Sequence, residues 1–156
     1  MPLTILDCSL TRVSDLSPLK GMGLKELRIH ETNVADLTPL KGMHLEKLQV
    51  GVTKVKDLGP LKDMPLAYLD CHRTPVSDLN PLKGMALETL FITDTKVTDL
   101  TPLTGMKLKE FCFTPGNITK GIEIVRGMKS IRQIGIDRGN LRPPDEFWKR
   151  YDAGKK

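Results

Sequence analysis

Apolar residues return every 21 positions along most of this chain. Leu3, Leu24, Leu45, Leu66, Leu87 and Leu108 head six units; three residues on stand Leu6, Leu27, Leu48, Leu69, Leu90 and Phe111, and two further on Cys8, Ile29, Val50, Cys71, Ile92 and Phe113. The closing positions of this L-x-x-L-x-L run alternate, as a strand must to turn one face inward and the other to solvent. No insertion breaks the register.

The second half of each unit reads V-x-D-L-x-P-L-K-G-M, as in Val13 to Met22. Asp15, Asp36, Asp57, Asp78 and Asp99 are placed to cap a single helical turn, and Pro18, Pro39, Pro60, Pro81 and Pro102 fall in its first turn, where a missing N–H matters least. So short a stretch built around a proline predicts a 3₁₀ turn rather than a long helix. Gly21, Gly42, Gly84 and Gly105 then permit a sharp return toward the next strand, and Asp63, in the same column, also tolerates left-handed backbone.

Each unit is therefore one coil, and its apolar side chains, such as Leu24, Leu27, Ile29, Val34, Leu37, Leu40 and Met43, can be covered only by a neighbouring coil. At roughly 1.5 to 3 kcal/mol for each fully buried large side chain, stacking contributes on the order of 10 to 20 kcal/mol per coil before entropy. Stability becomes a property of neighbouring pairs. Thr11, Thr32, Thr53, Thr74 and Thr95, at the turn leaving the strand, are expected to form a hydroxyl ladder that satisfies backbone groups of adjacent coils. The expected fold is of the α/β class, a right-handed solenoid with a parallel sheet on its concave face, short 3₁₀ turns on its convex face and a helical C-terminal cap. Residues 1–115 make the repeats, and residues 116–156 the last repeat and the cap.

Charge and cysteine content narrow the classes of function. Residues 1–115 carry fourteen Lys/Arg and fourteen Asp/Glu, while residues 116–156 carry ten and five, so the whole excess of +5 is C-terminal. Such a modest basic cap on a neutral solenoid reads as solvated surface, as does the column Lys20, Lys41, Lys62 and Lys83, so neither nucleic acid nor membrane is expected as a partner. Cys8, Cys71 and Cys112 are odd in number and lack metal-like spacing, which argues against a disulfide framework or zinc site and for a reducing, cytoplasmic compartment. No run of eighteen apolar residues is present, and the start Met1-Pro2-Leu3-Thr4 does not read as a secretory signal.

The pattern L-x-x-L-x-C-x-x-T-x-V-x-D-L-x-P-L-K-G-M resembles the short bacterial leucine-rich repeats of the internalin-like class, over residues 1 to about 115. It also resembles the repeat tails of planctomycete serine/threonine kinase-like proteins, whose closing segment is similar to Glu146-Phe147-Trp148-Lys149-Arg150-Tyr151. That resemblance implies a kinase-associated tail and not kinase activity, because the chain has no Gly-rich phosphate loop and no H-R-D or D-F-G set.

The two ends read differently. Ile118 to Met128 predicts a longer amphipathic helix, Ile131, Ile134 and Ile136 a seventh strand, and Pro143-Pro144 a final helix whose Phe147, Trp148 and Tyr151 close the core. At the other end Met1-Pro2-Leu3 begins in mid-repeat, as if cut from something larger. The first coil is expected to expose Leu3, Leu6 and Cys8 on a bare edge that frays or pairs with another copy.

Between the conserved leucines, the outward positions vary from coil to coil, and a partner would be read there. Aromatic and Arg side chains make the strongest anchors, which selects Tyr68, Phe91, Arg28 and Arg73, with Asp70 and His72 beside them; His30, Gln49, Thr93 and Asp94 complete the surface. The expected partner is a protein or peptide, the alternative a structural spacer or regulatory tail without a ligand. Enzymatic readings are weaker. His30 and His72 share a column but lie two coils apart, roughly 10 Å at about 4.8 Å per coil, too far for one zinc ion. Asp70, Cys71 and His72 are catalytic types in a row, yet alternation sends Cys71 inward and the others outward. Cys112 is expected to face outward beside Phe91, with no group evident to activate it. No catalytic residue, metal or cofactor is expected.

Overall fold

The computed structural model describes residues 2–154. Seven three-residue strands, β1 (Ile5–Asp7), β2 (Glu26–Arg28), β3 (Lys47–Gln49), β4 (Tyr68–Asp70), β5 (Thr89–Phe91), β6 (Glu110–Cys112) and β7 (Gln133–Gly135), form one parallel sheet in chain order. Pairing is in register at the repeat step, Leu27 opposite Leu48 and Leu48 opposite Leu69. Short 3₁₀ turns such as Ser17–Leu19, Thr38–Leu40 and Gly59–Leu61 run along the opposite side. All seven apolar columns are buried from the second coil to the fifth. In the first coil only Leu16 is, while Leu6, Cys8, Val13, Leu19 and Met22 are partly covered and Leu3 is exposed. That contrast is what nearest-neighbour burial dictates.

The polar columns act locally. Each repeat aspartate accepts the N–H two residues on, at 2.7–2.8 Å, from Ser17, Thr38, Gly59, Asn80 and Thr101. The cap is thus an Asx turn onto the first 3₁₀ residue, with a leucine in the N-cap position. The threonine ladder differs from expectation: Thr32, Thr53, Thr74 and Thr95 donate to Ile29, Val50, Cys71 and Ile92 carbonyls of their own coil, 2.6–2.8 Å away. A hydroxyl reaches the carbonyl three residues back more easily than it reaches across the strand spacing.

Two columns take left-handed backbone. Gly21, Gly42, Gly84 and Gly105 have φ of 76–78° and Asp63 has 64°, at the return the sequence predicts. A second column, Leu10, Glu31, Val52, Arg73 and Asp94, has φ of 51–60° with no glycine in it. Here the strand is left by a turn that aims each N–H at the next coil, Glu31 at Gly51 and Val52 at His72. The inter-coil bond holds the strain in place.

The C-terminal end departs from its sequence reading in two places. The helix expected from Ile118 forms only as α1 (Ile122–Arg126). Thr119 and Lys120 instead bond the Thr98 carbonyl, Lys120 accepts from Leu100, and Gly121 crosses so close that a Cβ there would meet the Thr101 nitrogen at 2.7 Å. Ile131 and Ile134 are buried, but Ile136 is 53% exposed, because β7 ends at Gly135 and the chain doubles back. Ile134 then exchanges both backbone bonds with Arg142, which covers the outer edge of the last strand. Beyond it α2 (Pro144–Ala153) sets Phe147 and Trp148 against Phe113, with centroids 5.9 and 6.5 Å away, and closes the core as expected.

Val52 is the β-branched member of the strained column, and left-handed backbone costs such a residue about 1–2 kcal/mol. Val52→Asn keeps the N–H and tolerates the conformation. The urea midpoint is expected to rise by the equivalent of about 1 kcal/mol at unchanged slope; a fall in the midpoint would refute strain at this site.

Candidate functional site on the concave face

Strand alternation puts three side-chain columns on the solvent side of the sheet. The first runs Ile5, Glu26, Lys47, Tyr68, Thr89 and Glu110, the second Asp7, Arg28, Gln49, Asp70, Phe91 and Cys112, and the third Ser9, His30, Gly51, His72, Thr93 and Thr114. These are the columns the repeat leaves free to vary. Over the first three strands the first two columns stay open or partly open and are wired by charge. Glu26 accepts from Arg28 at 2.7 Å and from Lys47 at 3.1 Å, and Arg28 also faces Asp7 at 3.6 Å. Burial tends to raise the Glu26 pKa, but hydrogen bonds from Arg28 and Lys47 outweigh it and hold the carboxyl below its ordinary value. Lys47 lies 5.0 Å from the Tyr68 ring centre.

From β4 onward the middle column is closed. Asp70 is 1% exposed, Phe91 4%, and Cys112 is buried, although alternation places all three on the outer face. The reason is the doubled-back segment at 136–142. Its Arg138 Nη1 donates to Asp70 Oδ2 at 2.7 Å, and the guanidinium lies 5.7 Å from the Phe91 ring centre. Tyr68 meets the same ring edge-on, with centroids 5.7 Å apart. Asp70 Oδ1 accepts His72 Nδ1–H at 2.7 Å, and this imidazole lies across Gly51, where any Cβ would collide with it. Burial, and then the Asp70 charge, raise the Tyr68 phenol above its ordinary pKa.

The candidate residues therefore divide into three groups. Arg28, His30, Gln49 and Tyr68 lie half-open on the N-terminal part of the face. Asp70, His72 and Phe91 form one cluster under Arg138, so Asp70 and Phe91 are anchors for a segment of this chain and not open contacts. Arg73, Thr93 and Asp94 stand on its rim, Arg73 facing Asp94 at 3.5 Å. With His72, Asp137, Arg138 and Gly139 they line a cleft of about 270 Å³. Sequence reasoning missed Arg138, which is separated from Asp70 by 68 residues; the only local sign was the turn-forming run Asp137-Arg138-Gly139-Asn140.

No family model matches the sequence, and no curated protein matches it. Solved structures do match. An internalin (inlF) from Listeria monocytogenes aligns over 85% of this chain with a TM-score of 0.78 at 24% identity. Internalin C2 (inlC2) from the same species aligns over 72% with a TM-score of 0.70 at 28% identity. The chain folds as a leucine-rich-repeat solenoid. It spans 41% and 52% of those two internalin chains, less than two thirds of either. Neither of these neighbours bears on the resemblance to planctomycete kinase tails.

Within this solenoid, Cys71 points into the core beneath Asp70 and His72, so the three catalytic types in a row do not converge. Burial drives the Cys71 thiol far above its ordinary pKa. Cys112 is not the outward thiol expected beside Phe91. Burial, reinforced by Asp137 and Asp70, pushes it up to about 12, and no thiolate is available near neutral pH. Among the described residues no helix is long and apolar enough to cross a membrane.

Brief maleimide treatment of the native protein at pH 7.5 is expected to modify Cys8, which is partly exposed, and to leave Cys71 and Cys112 unmodified until denaturant is added. Peptide mass spectrometry reads this directly, and rapid native labelling of Cys112 would show that the segment at 136–142 does not cover it.

Proposed function

We propose that this solenoid is a protein-interaction module that takes a peptide or protein segment along the N-terminal part of its concave face. The observation that carries the reading is the contrast between columns. Every inward position repeats, while the outward ones change type from coil to coil and place Arg28, His30, Lys47, Gln49 and Tyr68 side by side, half-open. Tyr buries a large area with few rotatable bonds and Arg brings a planar fork of five donors, which makes both effective anchors. The internalin-like fold is consistent with such a role. Placement in a reducing compartment, such as the cytoplasm, belongs to the same proposal and rests on three free thiols.

Peptides selected from a phage-displayed random library on the wild-type chain are expected to lose about tenfold or more in affinity for Arg28→Ala or Tyr68→Ala, the range of an interface anchor, with the fold retained by circular dichroism and Tm lowered by a few degrees at most for Tyr68→Ala, which loses its edge-on contact with Phe91. Selected peptides that bind both variants as tightly as wild type would refute this surface.

A second contact is favoured by a specific observation at the first coil. Leu3, Ile5 and Leu10 are 50%, 54% and 70% exposed, next to the outer edge of β1. We propose that this edge pairs with a second copy, since apolar side chains beside open strand bonds invite addition. Sedimentation equilibrium is expected to show a dimer that Ile5→Lys converts to monomer; a wild-type chain that stays monomeric at about 1 mM, where even a contact of about 4 kcal/mol would show, overturns it.

A further inference from the structure

We infer that the cluster at Asp70 and Phe91 is an arginine-binding site, filled by the chain's own Arg138, and that the partner segment it accepts carries an arginine in that place. This deepens the proposed function and rests on its reading of the concave face. Asp70 and Phe91 are opposed residues of the β4–β5 pair, on the face that the solenoid presents outward. A carboxylate 1% exposed must be paired, and an aromatic face beside it completes the chemistry that recognises a guanidinium rather than an ammonium. The site is built from two adjacent coils. His72 orients the carboxylate from one oxygen, leaving the other for the cation, and Tyr68 sets the Phe91 ring edge-on.

Arg138 occupies this site without exhausting it. Half of its side chain is open to solvent, and among the described residues one nitrogen of its guanidinium bonds Asp70. Five donors are available to any guanidinium. Thr93 Oγ1, on the wall of the same cleft, is buried and without a hydrogen-bond partner, an acceptor for a donor that Arg138 leaves unused. The segment that carries Arg138 is tethered beside the site by the Ile134–Arg142 bonds, and between them the Asp137 carboxylate accepts from Gly139 and Asn140 in a self-contained turn. It is thus an internal ligand on a short leash. A partner's arginine competes with it, and the bound fraction of Arg138 sets how much affinity the partner loses.

The test removes the internal ligand and supplies an external one. The Arg138→Ala chain is titrated with N-acetyl-arginine amide and with N-acetyl-lysine amide, reading Tm and the rate at which Cys112 reacts with maleimide. Cys112 is expected to react about tenfold or more faster than in the wild-type chain, because its cover is loosened. The arginine amide slows that reaction and raises Tm saturably, the lysine amide does neither, and adding Asp70→Asn abolishes the response. The wild-type chain binds the arginine amide about tenfold or more weakly than Arg138→Ala does. No response of Arg138→Ala to the arginine amide, an equal response to the lysine amide, or equal affinity in the wild-type chain overturns the inference. Arg138→Gln, which keeps part of the stem, replaces the alanine variant if that fails to fold. Peptides that depend on Tyr68 while Arg138→Ala ignores arginine would sink this inference and leave the proposed function standing.

Discussion

Burial of one coil's leucines by the next, at a register that never slips, is the constraint from which the other features follow. A coil of 21 residues with three in a strand has no second layer to close its own core, so each apolar column must align with its copy above and below. Alignment fixes the strand pairing, and the pairing fixes which side chains face out. It also explains why polar columns bond within a coil. The threonine and aspartate side chains shape the turn that makes one coil match the next, and backbone bonds, in the strand ladder and in the turns that follow it, link the coils.

The same constraint makes the ends chemically different from the middle. At the C-terminal end Phe113 would face water without α2, and the outer edge of β7 would be bare without Arg142. Both are covered, by rings at 5.9–6.5 Å and by a pair of backbone bonds. At the N-terminal end the first coil keeps one fully buried leucine, Leu16, and three large apolar residues in water. Closure at the C-terminal edge answers the demand that a neighbouring coil meets elsewhere in the stack.

What was legible in the sequence is what repeats. Columns such as Leu24 to Leu108 declare the strands and the core, and Gly21, Gly42, Gly84 and Gly105 declare the return, because one residue type at one step admits one conformation. The second left-handed column was hidden by its chemistry, since Leu10, Glu31, Val52, Arg73 and Asp94 share no property but their place. The helix expected from Ile118 was overextended because amphipathic spacing cannot show that Thr119 and Lys120 bond the preceding coil. In the candidate site, alternation placed Asp70, Phe91 and Cys112 on the outer face correctly and still misjudged their exposure. Burial there comes from Arg138, and a contact across 68 residues leaves no periodic trace.

The position of Arg138 follows from sealing the sheet rather than from the repeat. To bond Ile134 from outside, Arg142 must run antiparallel to β7, so the chain between them has to turn within a few residues, and Asp137, Gly139 and Asn140 form that turn. With β7 the last strand, the turn has only the outer face of the preceding strands to lie on. Its exposed corner residue therefore lands over β4 to β6, where Asp70 offers a charge and Phe91 a ring. Closing the C-terminal edge and closing half of the concave face are in this way one structural event. The part of the face from Arg28 to Tyr68 lies beyond that turn and stays half-open, which is why the concave surface is asymmetric in a molecule built from nearly identical coils.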